Sequence, residues 1–344
     1  MVVGQSTLLL VCITASFAAA QPFVGTINGP TIDRWSYPFA AQPGSEPNVT
    51  VFAALQQAGF DDRDAMFYLA FDTGSLVPSG VGSDRYVVSS LRVTAWVSAD
   101  NQFEYDPTFD SVTTSYEPSQ AGYTPDLDAG KPVELFAAGY RNGWTALTYQ
   151  ENSPFSPFPS FPPREGVRSV FAAVYDDAGI ATDIGRQVRQ GFEALPMAIG
   201  RNEELTPGQT VPAGTPLVFE ADTGRLADSV YLARGFDDGR VTFMISGLHA
   251  AAGGPGGGTG NPNYPAFFTK ENAVAQAAGY IARLEFSVLV YPGADFNLDG
   301  GVDGSDVEAF FTAWEAADTI ADFNIDGGVD GADVEAFFMA WEQG

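Results

Sequence analysis

Cysteine, histidine and basic side chains are all scarce in this 344-residue chain. Its single cysteine, Cys12, has no partner for an intramolecular disulfide. Stability must therefore come from core burial or bound metal. Its single histidine, His249, excludes an H-E-x-x-H zinc motif, which needs two. Only 16 Lys and Arg face 43 Asp and Glu, for a net charge of −27. Phosphate recognition needs clustered cations, so nucleic acid and anionic membranes are excluded as expected partners. Beyond the first twenty residues, no run approaches the ~18 consecutive apolar residues of a membrane helix, and no membrane span is expected.

The N-terminus itself is apolar from Leu8 to Phe17 and continues into Ala18-Ala19-Ala20 and Gln21-Pro22. A short hydrophobic core before small residues is the pattern of a secretory signal peptide. Residues 1–20 are read as that signal, and the protein as secreted, extracellular or at the cell surface. Cys12 lies inside the signal, so the mature chain is expected to carry no thiol.

Acid is concentrated at the other end. Residues 295–344 hold 13 Asp and Glu and no Lys or Arg. The density belongs to a repeat: residues 294–316 (ADFNLDGGVDGSDVEAFFTAWEA) and 321–343 (ADFNIDGGVDGADVEAFFMAWEQ) differ at four of 23 positions. A disordered acidic tail has no reason to repeat so faithfully or to carry paired aromatics. Each copy has EF-hand loop spacing. Asp295, Asn297 and Asp299 take loop positions 1, 3 and 5 of the first copy, and Asp322, Asn324 and Asp326 those of the second. Calcium takes six to eight oxygens, which alternate carboxylates and amides on a tight turn can present to one point. Gly300 and Gly327 stand at position 6, where the chain bends and a side chain is expected to clash. Gly301 and Gly328 would give backbone carbonyls at position 7. Asp303 and Asp330 stand at position 9, and Asp306 and Asp333 close the loops at position 12. Two Ca²⁺ ions are expected. After each loop, Val307, Phe310, Phe311 and Trp314, and Val334, Phe337, Phe338 and Trp341, recur at helical spacing. No entering helix precedes either loop. The two exit helices should bury their aromatic faces on each other.

These residues resemble the type I dockerins of bacterial secreted proteins, which have two loop-helix repeats, no entering helices and Asp-closed loops. The resemblance covers about 50 residues, and the doubled D-x-N-x-D-G-x5-D signature carries it. It implies a cohesin-like protein as partner of residues 294–344. Loop positions 10 and 11, which help contact cohesins in that family, are Gly304-Ser305 and Gly331-Ala332 here. Only one hydroxyl remains, so a typical cohesin is in question, and a calcium-stapled cap that binds nothing is the other reading.

Residues 21–293 form the body. Strand-like runs occur at 66–71, 86–97, 133–138, 168–175, 217–220, 241–246 and 281–291, and Leu91, Val93, Ala95 and Val97 alternate with Arg92, Thr94 and Trp96. Helical periodicity is scarce, its best case being Ile184, Val188 and Phe192. The fold class is mainly β: an antiparallel sandwich or jelly roll, as one domain or two, followed by the small α-helical module. Five prolines make residues 153–163 a surface loop. Residues 252–261 (AGGPGGGTGN) are read as a flexible excursion. The stretches 64–72 and 89–97 resemble a core pattern of carbohydrate-module-like β-sandwiches in bacterial surface proteins, which implies a glycan ligand for the body. The similarity of residues 51–59 to 170–179 is equally an internal duplication or chance.

Catalytic signals are few. Ser246 and His249 could belong to a triad, but no G-x-S-x-G elbow is present. The pairs Asp61-Asp62, Asp176-Asp177 and Asp237-Asp238 could serve glycoside hydrolysis or simply lie in turns. Phe155, Phe158, Phe161, Trp35 and Trp144 could stack on sugars or fill the core. No catalytic residue is assigned. The leading reading is a non-catalytic binding or structural protein, anchored through its C-terminal module. A secreted glycoside hydrolase carrying a dockerin is the alternative.

Overall fold

The computed structural model describes residues 22–251, 263–324 and 327–342. The expected signal peptide with Cys12, the glycine-rich excursion and Asp326 lie outside the described residues. Two compact units are present, Pro22–Val290 and a second that begins at Tyr291.

The body is mainly β. Its strands are β1 (Phe23–Ile27), β2 (Ile32–Ser36), β3 (Asn48–Thr50), β4 (Phe52–Ala53), β5 (Arg63–Asp72), β6 (Tyr86–Trp96) and β7 (Val133–Tyr140). Then follow β8 (Val170–Tyr175), β9 (Ala181–Asp183), β10 (Ala198–Ile199), β11 (Pro216–Glu220), β12 (Arg240–Gly247), β13 (Ala266–Phe268) and β14 (Arg283–Val290). One sheet has the order β1-β14-β6-β11 and another the order β2-β5-β12-β7-β8-β9, with β3 and β13 as a separate pair. Every pairing in these sheets is antiparallel. Each of the seven expected runs overlaps one of these strands.

Why β5 reads as an unbroken apolar run becomes clear from its two faces. Phe67, Leu69 and Phe71 enter the core shared with the four-stranded sheet, alongside Leu91, Val93, Leu217, Phe219, Leu284 and Phe286. Met66, Tyr68 and Ala70 enter a second core on the opposite face, with Phe136, Ala138, Tyr149, Val170 and Met244. Successive side chains do point to opposite faces, but both faces are covered, so the period-2 signal vanishes from the sequence.

Helices correct the sequence reading. The Ile184–Phe192 series gives one turn only, α1 (Gln187–Gln190), which Gly191 ends in a left-handed conformation at φ +68°. The main helix of the body is α2 (Leu226–Asp237), and a shorter one is α3 (Ala273–Ala278). Leu232, Ala233 and Phe236 of α2 pack into the shared core, and Phe236 meets Phe286 edge-on at 5.2 Å. Its buried face also includes Asp228, and Gly235 lies against Val241, so its apolar stripe is too interrupted to stand out. Residues 51–59 and 170–179 differ as well: the first holds the two-residue β4 on β5, the second the six-residue β8 between β7 and β9. Their similarity is not a structural duplication.

Arg34, Arg63 and Arg168 are among the largest fully buried side chains of the body. Arg63 pairs with Glu134 at 2.6 Å, and Arg168 with Asp61 at 2.8 Å. Buried charge persists only when it is paired and hydrogen-bonded. Arg63 also donates to Gln187 Oε1 and Ser246 Oγ and lies over the Phe136 ring.

The C-terminal unit holds α4 (Gly304–Glu315) and α5 (Gly331–Trp341). Phe310 and Phe337 are fully buried and stack 4.3 Å apart, nearly parallel, with Phe296 and Phe323 set edge-on against them. Val302 joins this core, and Val329 packs against it.

Candidate functional site

In the first loop, hydrogen bonds draw the acidic side chains inward. Asp295 is fully buried; its Oδ1 accepts the Asp299 N–H at 3.1 Å and its Oδ2 the Gly300 N–H at 3.0 Å. Asn297 Oδ1 also accepts from the Asp299 N–H, and Asp299 Oδ1 from the Gly301 N–H. Asp306, also fully buried, accepts the Asn297 N–H at 3.0 Å on one oxygen and the Asp303 N–H at 2.8 Å on the other. Asp303 is the N-cap of α4 and accepts from the N–H and hydroxyl of Ser305. Positions 9 and 12 thus form a capping box as well as ending the loop.

The second loop repeats the arrangement wherever it is described. Asp322 Oδ2 accepts the Gly327 N–H at 2.9 Å. Asp333 accepts the Asn324 N–H at 3.1 Å and the Asp330 N–H at 2.7 Å, and Asp330 caps α5 through the Ala332 N–H. Gly301 and Gly328 stand at the backbone position expected of each.

The glycines at position 6 have a different cause from the one expected. Gly300 and Gly327 have φ of +91° and +93°. A Cβ at either would meet nothing within 4 Å. The left-handed backbone, not a neighbouring atom, requires glycine there.

Electrostatics separate the loop carboxylates. Burial pushes the Asp295 pKa up, the Asp306 and Asp299 charges add to this, and the Gly300 and Asp299 N–H groups oppose it. Asp303 is held below the usual range by the Ser305 hydroxyl and N–H. Asp333 is lowered first by the Asp330 N–H. The donors are all oxygen, which suits a hard cation such as calcium. Many of their oxygens are turned to backbone N–H groups. Among the described residues, trios of carboxyl groups with oxygens within 4.8 Å of one another occur in the body instead, at Asp33–Glu151–Glu271 and Asp106–Asp110–Asp128. Sequence reading passed over both trios: Asp33, Glu151 and Glu271 come from segments distant in the chain, and Asp128 joins Asp106 and Asp110 only through the fold of the β6–β7 connection.

The two repeats are tied together reciprocally. The Trp314 indole N–H of the first helix donates to the Asp330 carbonyl of the second loop at 2.8 Å. The Trp341 indole N–H of the second helix reaches the Asp303 carbonyl of the first loop at 3.5 Å.

In each carboxylate pair of the body at least one member has a structural partner. Asp61 binds Arg168 and the Gly166 N–H, and Asp62 binds Arg189 and the Gln56 N–H. Asp176 Oδ1 accepts from the Ala178 and Ile180 N–H groups in a turn, and Asp237 accepts from the Gly82 N–H. The Ser246 hydroxyl accepts from Arg63. His249 is 5 % exposed, and burial, with Lys131 and Arg63 nearby, pushes its pKa down to about 3 against the opposing pull of the Lys131 backbone. Trp35 donates to the Thr50 carbonyl and packs on the core, and Trp144 packs edge-on to Tyr149. Phe155 lies under Arg168, whereas Phe158 and Phe161 are exposed. Across 344 residues the chain matches no family model and no curated protein.

Proposed function

We propose that residues 294–344 form a two-calcium, dockerin-like module that anchors or assembles an exported, non-catalytic binding or structural protein. The reciprocal Trp314–Asp330 and Trp341–Asp303 hydrogen bonds carry this reading. They fasten each exit helix to the other repeat's loop, so ordering one loop favours the other. Asp295, Asn297, Asp299, Asp303 and Asp306, with the Gly301 carbonyl, are the ligands of the first ion. Asp322, Asn324, Asp326, Asp330 and Asp333, with the Gly328 carbonyl, are those of the second. No Lys or Arg lies between 295 and 344 to neutralise these acids, which leaves that task to metal.

Positions 10 and 11 of both loops are exposed at the helix N-termini and form the partner face. The Ser305 hydroxyl is already donated to Asp303 at 2.5 Å. A cohesin-like partner would therefore meet mostly backbone here. In the β-sandwich body, a groove of about 840 Å³ lined by Arg92, Met197, Arg201, Val218, Glu220 and Arg225 is the candidate glycan face. The glycoside-hydrolase reading is less favoured, because Asp61, Asp62, Asp176 and Asp237 are engaged by their own loops and arginines.

The test is capture from envelope and secreted proteins of the source cell, using the full chain in calcium and then in EGTA. A partner that the wild type retains only in calcium, and that Asp295→Ala/Asp322→Ala loses, supports the anchor. Equal capture in both conditions refutes it.

A further inference from the structure

The connection between β6 and β7 carries an oxygen cluster far from the C-terminal loops in sequence. One carboxylate oxygen from each of Asp106, Asp110 and Asp128 lies within 4.8 Å of the other two. Clustered acids alone would mean little on so acidic a protein. Here, however, Asp106 is only 3 % exposed, and its Oδ2 is buried with no hydrogen-bond partner. An orphaned, buried carboxylate oxygen is costly and calls for a proton, a water or a cation.

The Thr108 hydroxyl sharpens the point. Its oxygen lies 2.6 Å from Asp106 Oδ1 and 2.7 Å from Asp128 Oδ2. It has one proton to give, so it cannot donate to both carboxylates at once. The Thr108 N–H already donates to Asp106 Oδ1 at 2.8 Å. The cation that reaches the cluster is Lys131, which donates to Asp110 at 2.8 Å, to Asp126 at 2.6 Å and to Thr114 at 3.1 Å. One ammonium thus faces four carboxylates, and it touches neither Asp106 nor Asp128 in these contacts. The other carboxyl trio differs: there the Lys270 ammonium already sits 3.3 Å from Asp33 and pairs with Glu151.

We propose that Asp106, Asp110, Asp128 and the Thr108 hydroxyl form a calcium site in the body, independent of the two C-terminal loops. The spacing Asp106-x-Thr108-x-Asp110 places alternate oxygen side chains on one tight segment, and Asp128 closes the site from a second. Gly130 permits the approach: its φ is +93°, and a Cβ there would lie 2.7 Å from the Glu104 carbonyl oxygen. The all-oxygen set selects a hard cation, and ligands from two irregular segments suit calcium's tolerant coordination better than magnesium's octahedron. Asp128 is exposed, so water completes the shell. Bound calcium would staple the long β6–β7 connection to itself.

The test is calcium stoichiometry by equilibrium dialysis of the full chain after metal removal. Wild type is compared with Asp106→Asn/Asp128→Asn and with Asp295→Ala/Asp322→Ala. The Asp106→Asn change keeps an acceptor for the Thr108 N–H while removing charge. The Asp106/Asp128 variant should bind one equivalent fewer than wild type, and the Asp295/Asp322 variant should retain an equivalent that disappears when all four changes are combined. Equal binding by wild type and the Asp106/Asp128 variant overturns the proposal whatever the C-terminal loops do. If the double variant lacks a native circular dichroism spectrum, exposed Asp128→Asn alone decides: calcium affinity at one site must fall at least tenfold, and an unchanged titration overturns the proposal.

Discussion

On the proposed two-calcium reading, Phe337→Ala would separate a coupled pair of metal-binding loops from two independent ones. Phe337 is fully buried and lies 4.3 Å from the Phe310 ring, with edge contacts to Phe296, Phe323 and Phe338. Phe310 and Phe296 belong to the first repeat, so the cavity would open between both copies. Truncating a buried Phe to Ala costs about 3–5 kcal/mol. Where binding free energy is also folding free energy, that loss falls on the metal sites, and each ~1.4 kcal/mol is a factor of ten. Overall calcium affinity, taken over both ions, should therefore fall roughly 10²- to 10³-fold or somewhat more. Calorimetric titration of the full chain would show both C-terminal binding steps weakened, although every ligand of the first loop remains. Native affinity at the first loop with weakness confined to the second would refute the shared core as the route of coupling.

Three further outcomes concern the body. Glu134→Gln leaves the buried Arg63 guanidinium without its counter-charge and should cost about 3–5 kcal/mol; in urea unfolding, the double change Arg63→Met/Glu134→Leu should recover most of the loss. Asp64 is pushed up to about 7 by burial, against the pull of Arg168. Its protonated form is the one the fold favours, so stability should fall as pH rises from about 4 to 7, by up to about 4 kcal/mol, and Asp64→Asn should flatten that limb of a pH–stability curve. His249 has the opposite sign: the fold favours its neutral form, so stability is held above pH ~6.5 and lost toward pH 3, and His249→Leu should blunt acid unfolding followed by tryptophan fluorescence.

Local patterns were legible from the sequence. The doubled loop signature marked Asp295 to Asp306 and Asp322 to Asp333, and a helix begins within each copy where the apolar spacing predicts one. Strands announced themselves by β-branched and aromatic runs between turn residues. Long-range pairings did not. Arg63 meets Glu134, and Arg168 meets Asp61 107 residues away, and nothing in either neighbourhood names the partner. Even the double burial of β5 erased its own alternation, since Phe67 and Tyr68 both face apolar cores. α2 escaped because Asp228, paired with Arg225, sits on its inner face, where the periodic argument expects an apolar residue. The Asp106 cluster needed Asp128 folded back onto the Asp106–Asp110 segment, a closure visible only in three dimensions.

The near-identity of the two repeats has a consequence for assembly. Phe310 and Phe337 occupy equivalent positions and stack on one another, and each tryptophan donates to the opposite loop. Any surface that receives the second repeat of its own chain offers the same fit to the second repeat of another. Opening the short link between α4 and the second loop exposes two interchangeable halves, and concentration alone then chooses between closure and exchange. Refolded at high concentration, the chain should yield repeat-exchanged dimers that dilution converts to monomers only as fast as the paired helices come apart.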